Sequence, residues 1–236
     1  MASDWKLLQR YVRQNSEAAF AMLVRLHLNL VYSVALRQVR SRELAEEVSQ
    51  SVFTDLARNA AKLKPDTILS AWLYQVTRRT AIDVTRRESR RQARERIAVE
   101  MTNMNSSPSE WTQIEPILDE AMESLDENDR TAVLLRFFEN KSLREVGEAF
   151  GTTDDAAQKR VSRAVERLRE FFTKRGVTIG VAGLASAISL NAVQSAPIGL
   201  AATISAAAVL AGTTAVTTAT ATKAIAMTTL QKAIVG

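Results

Sequence analysis

The sequence contains no cysteine and a single histidine, His27, among its 236 residues. Disulfide bonds and thiolate metal sites are therefore excluded, and a chain of this kind suits a reducing cytoplasm. A metal-activated water or a nucleophile–histidine pair also lacks the residues from which it is built. We therefore expect no metal, no cofactor and no catalytic residue, and we interpret His27 as a packed or half-exposed helix residue among leucines.

Strand-like alternation of apolar and polar residues does not occur before residue 176. Apolar residues recur instead at the three- and four-residue spacing of amphipathic helices. Residues 99–115 lack this periodicity and include a polar Asn- and Ser-rich stretch, which predicts a flexible linker. The sequence therefore predicts an all-α fold with two small helical domains, residues 1–98 and 116–175. Residues 1–13 lack the apolar stretch of a signal peptide, which favours a cytoplasmic location.

Positive charge is concentrated in one short segment. Eight arginines lie within the nineteen residues from Arg78 to Arg96, and three acidic residues offset them, so the segment carries +5, equal to the net charge of the chain. Trp72 and Tyr74 lie shortly before it. A basic strip beside aromatic residues can hold a phosphate backbone and stack an unpaired base. Nucleic acid is therefore the first hypothesis for a partner.

The second block contains a segment with the spacing of a helix-turn-helix. Ser142 can cap the first helix, Gly147 is a small residue where the two helices cross, and Gly151 permits the positive φ of the turn. Thr153 or Asp154 can cap the second helix. Its apolar face would consist of Ala157, Val161, Val165 and Leu168. The polar side chains left to meet base edges and phosphates in a major groove are Gln158, Lys159, Ser162 and Arg163. An αα-hairpin that only packs, with a basic solvated face, is the alternative.

Longer runs in both blocks follow one another in a fixed order. In the first block they are Asp4-Trp5, Ala45 to Phe53, Ala71 to Asp83, and Arg86-Arg87. In the second they are Leu125 to Phe138, the helix-turn-helix, Arg163-Ala164 and Leu168-Arg169. Together they resemble regions two and four of the extracytoplasmic-function sigma factors of the sigma-70 family, over residues 4–173. The resemblance implies a protein that binds core RNA polymerase, recognises a promoter and helps to melt it.

The resemblance also implies three contact surfaces. Recognition of the −35 element would fall to Gln158, Lys159, Arg160, Ser162 and Arg163. Contacts around the −10 element would fall to Arg78, Arg79, Arg86, Arg87 and Arg90, beside a loop near residues 62–70 that captures a flipped base. Docking on the clamp helices of the β′ subunit would fall to Glu46, Glu47, Gln50 and Phe53. For Phe53 and Trp72 we favour positions in the core.

Several positions depart from the family's usual pattern or have a structural interpretation. Arg79 stands where asparagine is usual, which puts a base-specific role there in doubt. Asp126 replaces the proline that usually opens region four and is predicted to cap a helix. Gly147 stands where alanine is commoner, at a cost of about 1 kcal/mol in that helix. Asp83 is expected to pair with a neighbouring arginine.

The C-terminal segment, residues 176–236, has a third composition. Gly176 to Thr222 is a run of 47 residues without a charge, rich in alanine and threonine. Val177 to Val193 is long enough for a short membrane span, but its small and polar residues favour lipid only weakly. A membrane-associated segment, a low-complexity tail and a helix that covers part of the domains all stay open. The end at Gly236 has no clear cap, which predicts a longer natural chain.

The function predicted from the sequence is that of a sigma factor, with catalysis left to the polymerase. The expected partners are core RNA polymerase, through its β′ clamp helices and β subunit, promoter DNA, an anti-sigma factor, and a membrane through residues 176–222. The expected location is the cytoplasm, with membrane association through the tail. One alternative is a stand-alone helix-turn-helix regulator whose first block dimerises. Another is a membrane-anchored interaction protein, which rests on the tail alone.

Overall fold

The computed structural model describes residues 2–95 and 110–207, and within those ranges it contains helices and turns but no strand. The N-terminal domain consists of α1 (Ala2–Gln14), α2 (Glu17–Val39), α3 (Arg42–Asn59) and α4 (Leu69–Glu95). The all-α prediction is confirmed for this part of the chain. Residues 63–68 between α3 and α4 are not helical, and they include Pro65, which disfavours helix before it.

Helix α2 is the central element of the N-terminal domain and packs against α1, α3 and α4. Ser16 caps it by accepting a hydrogen bond from the Ala19 backbone at 3.3 Å, and Ser41 caps α3 through Leu44 in the same way. Among the described helices, α2 alone is long and apolar enough to cross a membrane. Two-thirds of its apolar stretch is buried inside the protein, as in the core helix of a folded domain.

The helix-turn-helix domain follows the undescribed residues 96–109. Its helices are α5 (Glu110–Ile114), α6 (Leu118–Glu123), α7 (Glu127–Val133), α8 (Leu143–Phe150) and α9 (Asp154–Lys174), and α7 continues into a π-helical turn at Leu134–Phe138. The structure differs from the expected linker at its end, because α5 begins at residue 110 and Ile114 is fully buried. Residues 99–109 of that linker lie outside the described residues.

Local side-chain chemistry defines the ends of these helices. Asp126 caps α7 by accepting a backbone hydrogen bond at 2.8 Å. Ser142 and Glu145 form a reciprocal capping box at the start of α8, and Gly151 ends that helix with a φ of 63°. The Thr153 hydroxyl caps α9 by accepting a hydrogen bond from the backbone N–H of Ala156 at 3.3 Å. The predicted helix-turn-helix is therefore confirmed in its caps and its turn.

Gly147 is required by a close approach between α8 and the turn that follows it. A Cβ at this position would lie 2.9 Å from the carbonyl oxygen of Thr152 and 3.2 Å from the backbone of Thr153. Backbone atoms cannot move aside as a flexible side chain can. The glycine that departs from the family's usual alanine therefore has a steric reason in this chain.

Residues 176–207 pack against both domains. Helix α10 (Val181–Asn191) lies against α5, α9 and the π-helical turn, and residues 200–207 are helical again. Eleven residues of helix extend about 16 Å, roughly half of a bilayer's hydrocarbon core. The buried side chains of α10 belong to the protein core, so a membrane span finds no support in the described tail. Residues 208–222 lie outside the described residues.

Candidate DNA and polymerase interfaces

The outer face of α9 presents side chains predicted to meet DNA. Gln158, Lys159 and Ser162 are exposed. The opposite face is buried and consists of Ala157, Val161, Ala164, Val165 and Leu168. A capped helix with one face anchored and one polar face exposed has the form of a major-groove recognition helix.

Two of the predicted DNA contacts also hold the helix-turn-helix domain together. The carboxylate of Asp129 is fully buried, and three arginines of α9 surround it. Arg163 Nη2 lies 3.3 Å and Arg160 Nη1 lies 3.5 Å from Oδ1, while Arg167 Nη1 lies 2.8 Å from Oδ2. The Arg160 guanidinium also lies 5.2 Å from the ring centre of Phe150. Because a buried charge requires partners, Arg160 and Arg163 fasten α9 to α7 in addition to any role on DNA.

The outer part of the basic strip lies on the C-terminal half of α4. Arg86, Arg87 and Arg90 are exposed there. Arg86 lies 4.0 Å from Asp83, the pair expected from the sequence, with both side chains more than 60% exposed. An ion pair this exposed contributes little to stability. The side chains of the remaining arginines, in residues 91–96, lie outside the described part of the chain.

Arg78 lies at the interface between the two domains. Its side chain is 16% exposed, and its Nη1 lies 2.8 Å from Oε1 of Glu123 in α6. Gln75 donates to the same oxygen at 3.4 Å, and Arg130 of α7 pairs with it as well. Arg78 therefore links the two domains in this conformation, and its contact with DNA stays a prediction.

A cleft of about 580 Å³ lies beside Arg78, between the loop before α4 and the helix-turn-helix domain. Lys64, Trp72 and Arg79 line one wall, and Asn128 and Phe150 line the other. Trp72, expected in the core, is half-buried at this wall. The second domain thus faces the loop to which the resemblance assigns capture of a flipped base.

Helix α3 presents a polar outer face. Glu47 is exposed, and Glu46 and Gln50 are half-buried beside it. The inner face consists of Val48, Val52, Phe53 and Leu56, each fully buried. Phe53 therefore fills the core, as we favoured, and its assignment to the polymerase surface is corrected.

A buried polar cluster holds the two domains together at Asp119 of α6, which is 4% exposed. Its carboxylate accepts hydrogen bonds from Arg37 Nε at 3.1 Å, from Gln38 Nε2 at 3.2 Å and from the Tyr74 hydroxyl at 3.1 Å. Burial raises the pKa of Tyr74 well above its ordinary value, and the negative charge of Asp119 adds to the rise. Tyr74 therefore remains a donor, and the carboxylate has the partners that a buried charge requires.

His27 forms a second charged link between the domains. Its Nε2 lies 3.5 Å from Asp4 Oδ2 of α1, and its Nδ1 lies 3.3 Å from Glu139 Oε1, just after the π-helical turn. Both carboxylates lie close enough to form ion pairs with the protonated ring. Burial by itself would lower the pKa of His27, but the two carboxylates outweigh it and raise the pKa to about 9. The histidine is packed as predicted and carries a charge at neutral pH.

The polar residues of α2 that bind the C-terminal segment were not predicted from the sequence. Asn29, Ser33 and Arg37 are spaced four apart, so they lie along one side of the helix. They hydrogen-bond to the backbone of residues 192–196. A regular polar stripe within an otherwise apolar helix is the signal that could have identified them.

Models of known families match both domains. The model of sigma-70 region 2 matches residues 23–91, and that of sigma-70 region 4 matches residues 116–168. Together they cover more than half of the 236 residues, and neither reaches residues 176–207.

Two individual relatives agree with the family models. The RNA polymerase sigma factor SigV of Bacillus subtilis is 27% identical over 167 residues, which cover 70% of this chain and 98% of SigV. The sigma factor CarQ of Myxococcus xanthus is 28% identical over 159 residues, which cover 67% and 91%. The sigma factor RpoE of Bartonella quintana, solved with the anti-sigma factor NepR, has a TM-score of 0.34 at 20% identity, covering 66% and 96%. The chain belongs to the extracytoplasmic-function sigma factors of the sigma-70 family, which direct promoter-specific transcription initiation by RNA polymerase.

Proposed function

We propose that this sigma factor uses its two domains, residues 1–98 and 116–175, on the two promoter elements. The exposed face of α9, with Gln158, Lys159 and Ser162, reads the −35 element. The basic side of α4, from Arg79 to Arg90, holds the DNA around the −10 element. The outer face of α3, with Glu47 at its centre, docks on the clamp helices of β′, and catalysis belongs to the polymerase.

The observation that carries this proposal is the presentation of α9. Its 21 residues extend about 31 Å, and its N-terminal turns project the polar face away from the buried one. A helix of this kind fits the major groove, which is about 12 Å wide. Lys159 is the most direct test of the assignment, because Arg163 also neutralises Asp129.

The DNA test compares Lys159→Ala with Glu170→Ala, an exposed control on the same helix. Lys159→Ala should reduce initiation by the full chain with core polymerase on promoters that depend on a −35 element. A lost base contact costs about 1–3 kcal/mol, and a lost phosphate contact flattens the salt dependence. Identical promoter use by both variants would contradict the −35 assignment.

The −10 surface has its own readout. Replacing Arg86 and Arg87 together by alanine should impair duplex opening near the start site, because two phosphate-binding cations are lost. Permanganate footprints of the melted strand measure this step. Footprints equal to those of Lys159→Ala would show that the two surfaces are not divided as proposed.

The polymerase surface is tested by charge reversal at Glu47 combined with Gln50→Ala. The double variant should bind core polymerase more weakly, because both residues lie on one polar helix face. Glu17→Lys, an exposed reversal on α2, is the matched control. Unchanged affinity of the double variant in a pull-down, at normal helicity, would rule out docking through α3.

The assignment of the remaining partners is based on membership of the family. The proposal includes an anti-sigma factor and a cytoplasmic location on that ground alone. It assigns no membrane contact to residues 176–207, because the apolar side chains of Leu184, Ile188 and Leu200 are buried against the two domains. Membrane contact would therefore fall to residues 208–222.

A further inference from the structure

The two domains lie too close together to occupy both promoter elements at once. Elements at −35 and −10 are about 25 base pairs apart, or about 85 Å at roughly 3.4 Å per pair. A compact chain of about 175 residues is only about 40 Å across. In the structure α4 and α6 touch through the pair Arg78–Glu123 at 2.8 Å. The domains therefore have to separate before the protein can use both DNA surfaces.

Residues 177–204, here called the strap, cross from one domain to the other. In the first half, Ile179, Leu184 and Ile188 are buried in an apolar cluster that belongs mainly to the helix-turn-helix domain and also includes Leu30, Val34 and Tyr74 of the N-terminal domain. In the second half, Leu200 and Ile204 are buried in the apolar cluster of the N-terminal domain. All five side chains of the strap are at most 5% exposed. Separation of the domains must therefore release one half of the strap and expose its apolar side chains to water.

The middle of the strap is held by its backbone. The Ser33 hydroxyl accepts a hydrogen bond from the N–H of Gln194 at 2.7 Å and donates to its carbonyl oxygen at 3.2 Å. Asn29 Oδ1 accepts from the N–H of Ala196 at 3.0 Å. Two side chains of α2 thus satisfy three backbone groups of a non-helical segment, as in a peptide-binding site.

Arg37 connects the strap to the interface between the domains. Its Nη1 donates to the carbonyl oxygen of Ala192 at 2.6 Å, while its Nε donates to Asp119 of α6 at 3.1 Å. Its guanidinium also lies 5.6 Å from the ring centre of Phe138. One side chain of the N-terminal domain therefore contacts the strap and the helix-turn-helix domain together.

We propose that the strap is an autoinhibitory element that occupies the polar stripe of α2 and holds the sigma factor closed. This proposal rests on the proposed function: the sigma factor bound to core polymerase uses both promoter elements at once, so core polymerase is the ligand of the open state. The apparent dissociation constant for polymerase is the intrinsic value divided by the open fraction. The strap therefore lowers polymerase affinity by lowering that fraction, and it contains no charge through which salt could weaken it.

The experiment uses point variants of the full chain with controls on the same segment. Ile204→Asp removes an apolar contact of the strap, and Ile198→Asp is its control because Ile198 is fully exposed. Ile188→Asp and Leu190→Asp form a second pair, with Leu190 79% exposed. Ser33→Ala is a milder variant that removes the backbone contacts to Gln194 without placing a charge in the core.

Domain separation and polymerase affinity are measured separately. The sequence has no cysteine, so dyes on Ala18→Cys and Glu170→Cys, both at exposed positions, report the distance between the domains by energy transfer. Ile204→Asp, Ile188→Asp and Ser33→Ala should lower the transfer. They should also raise affinity for core polymerase, by about tenfold for the aspartate variants, while both controls resemble the wild type.

Each outcome decides between support and rejection. Lower transfer with higher affinity at normal helicity supports the strap as an autoinhibitory element. Unchanged transfer, or lower transfer with unchanged affinity, overturns it, and so does loss of helicity in all three variants, which would make the strap a part of the fold. Absence of polymerase binding by the wild type and by every variant would instead contradict the proposed function, with energy transfer still reporting whether the strap holds the domains.

Discussion

The two DNA-facing surfaces of this sigma factor differ in how they are supported and presented. The face of α9 depends on its own domain, through the Thr153 cap and the buried Asp129, and it is exposed. In the second surface, Arg78 pairs with Glu123 of the other domain, and the exposed Arg79 borders the cleft between the two domains. The side chains of α9 predicted to meet DNA are therefore exposed in this conformation, whereas Arg78 is held at the interface between the domains.

This difference shows that the type of residue and its availability are separate properties. Arg78 and Arg86 lie on the same helix and in the same basic strip, yet Arg78 is 16% exposed and Arg86 is 70% exposed. The strip supplies the positive charge, while the position of the second domain determines which of these two arginines is exposed.

The largest expected effect comes from breaking the interface at Asp119. Asp119→Ala should cost about 3–5 kcal/mol, because it leaves the guanidinium of Arg37 buried without its partner. The surface around Arg78 should then open while the face of α9 stays unchanged. Urea unfolding measures the loss of stability, and hydrogen exchange of α4 and α9 measures how far each of the two surfaces opens.

The control for this variant is Glu120→Ala in the same helix. Glu120 pairs with Arg175, but both side chains are about half exposed, so the loss should be below about 1 kcal/mol. Similar losses in the two variants would show that the buried cluster does not hold the domains.

The next effect concerns His27 and the pH. The pKa of His27 is raised to about 9 from 6.5, so its stabilisation is full below pH 6.5, declines above it and is lost as the pH passes about 9. The full contribution is about 3 kcal/mol. The charged groups around it are Asp4 and Glu139, with Lys141 acting on Asp4.

Urea unfolding of His27→Gln between pH 6 and pH 9.5 tests this contribution. The wild type should lose stability as the pH rises, and the variant should lack most of that slope, because glutamine does not titrate. Burial by itself would raise the pKa of Asp4, but His27 outweighs it and lowers that pKa below its ordinary value. The contribution of Asp4 to stability is therefore lost at acid pH, as the pH falls through this lowered pKa. Equal slopes for wild type and variant would contradict the charged link.

The smallest expected effect concerns the exposed face of α9 and not the interface between the domains. Gly147→Ala should destabilise the helix-turn-helix domain by about 1–2 kcal/mol, since strain at the Thr152 carbonyl outweighs the gain in helix propensity. Promoter binding through α9 should weaken while the interface around Asp119 persists. Thermal unfolding measures the change, and a more stable variant would show that the close approach can relax.

Local chemistry explains why the helix-turn-helix could be predicted from the sequence. Ser142, Gly151 and Thr153 act on backbone groups within three residues of themselves, so their roles follow from residue type and spacing. The inner faces of α3 and α9 were predictable for the same reason, since helical periodicity places their apolar residues together.

The interface could not be predicted, because its contacts join distant parts of the chain. Nothing in the basic strip distinguishes Arg78, which meets Glu123 across the linker, from its neighbours. Asp129 has an ordinary helix-start position and becomes buried only through the arginines of α9. The tail was ambiguous because a small, apolar, uncharged composition suits a bilayer and a protein surface alike. For residues 177–204, only the tertiary contacts with the two domains decide between these alternatives.

The contact at Ser33 has a consequence for how this kind of chain diverges. The hydroxyl hydrogen-bonds to the N–H and C=O of Gln194, which nearly every amino acid provides, with proline excepted because it lacks the N–H. Substitutions at residue 194 can therefore accumulate without loss of the contact, whereas a change at Ser33 removes it. Descendants with a similar tail would be recognised by an Asn-x3-Ser-x3-Arg pattern in the second helix, after the tails themselves had lost any similarity that alignment can detect.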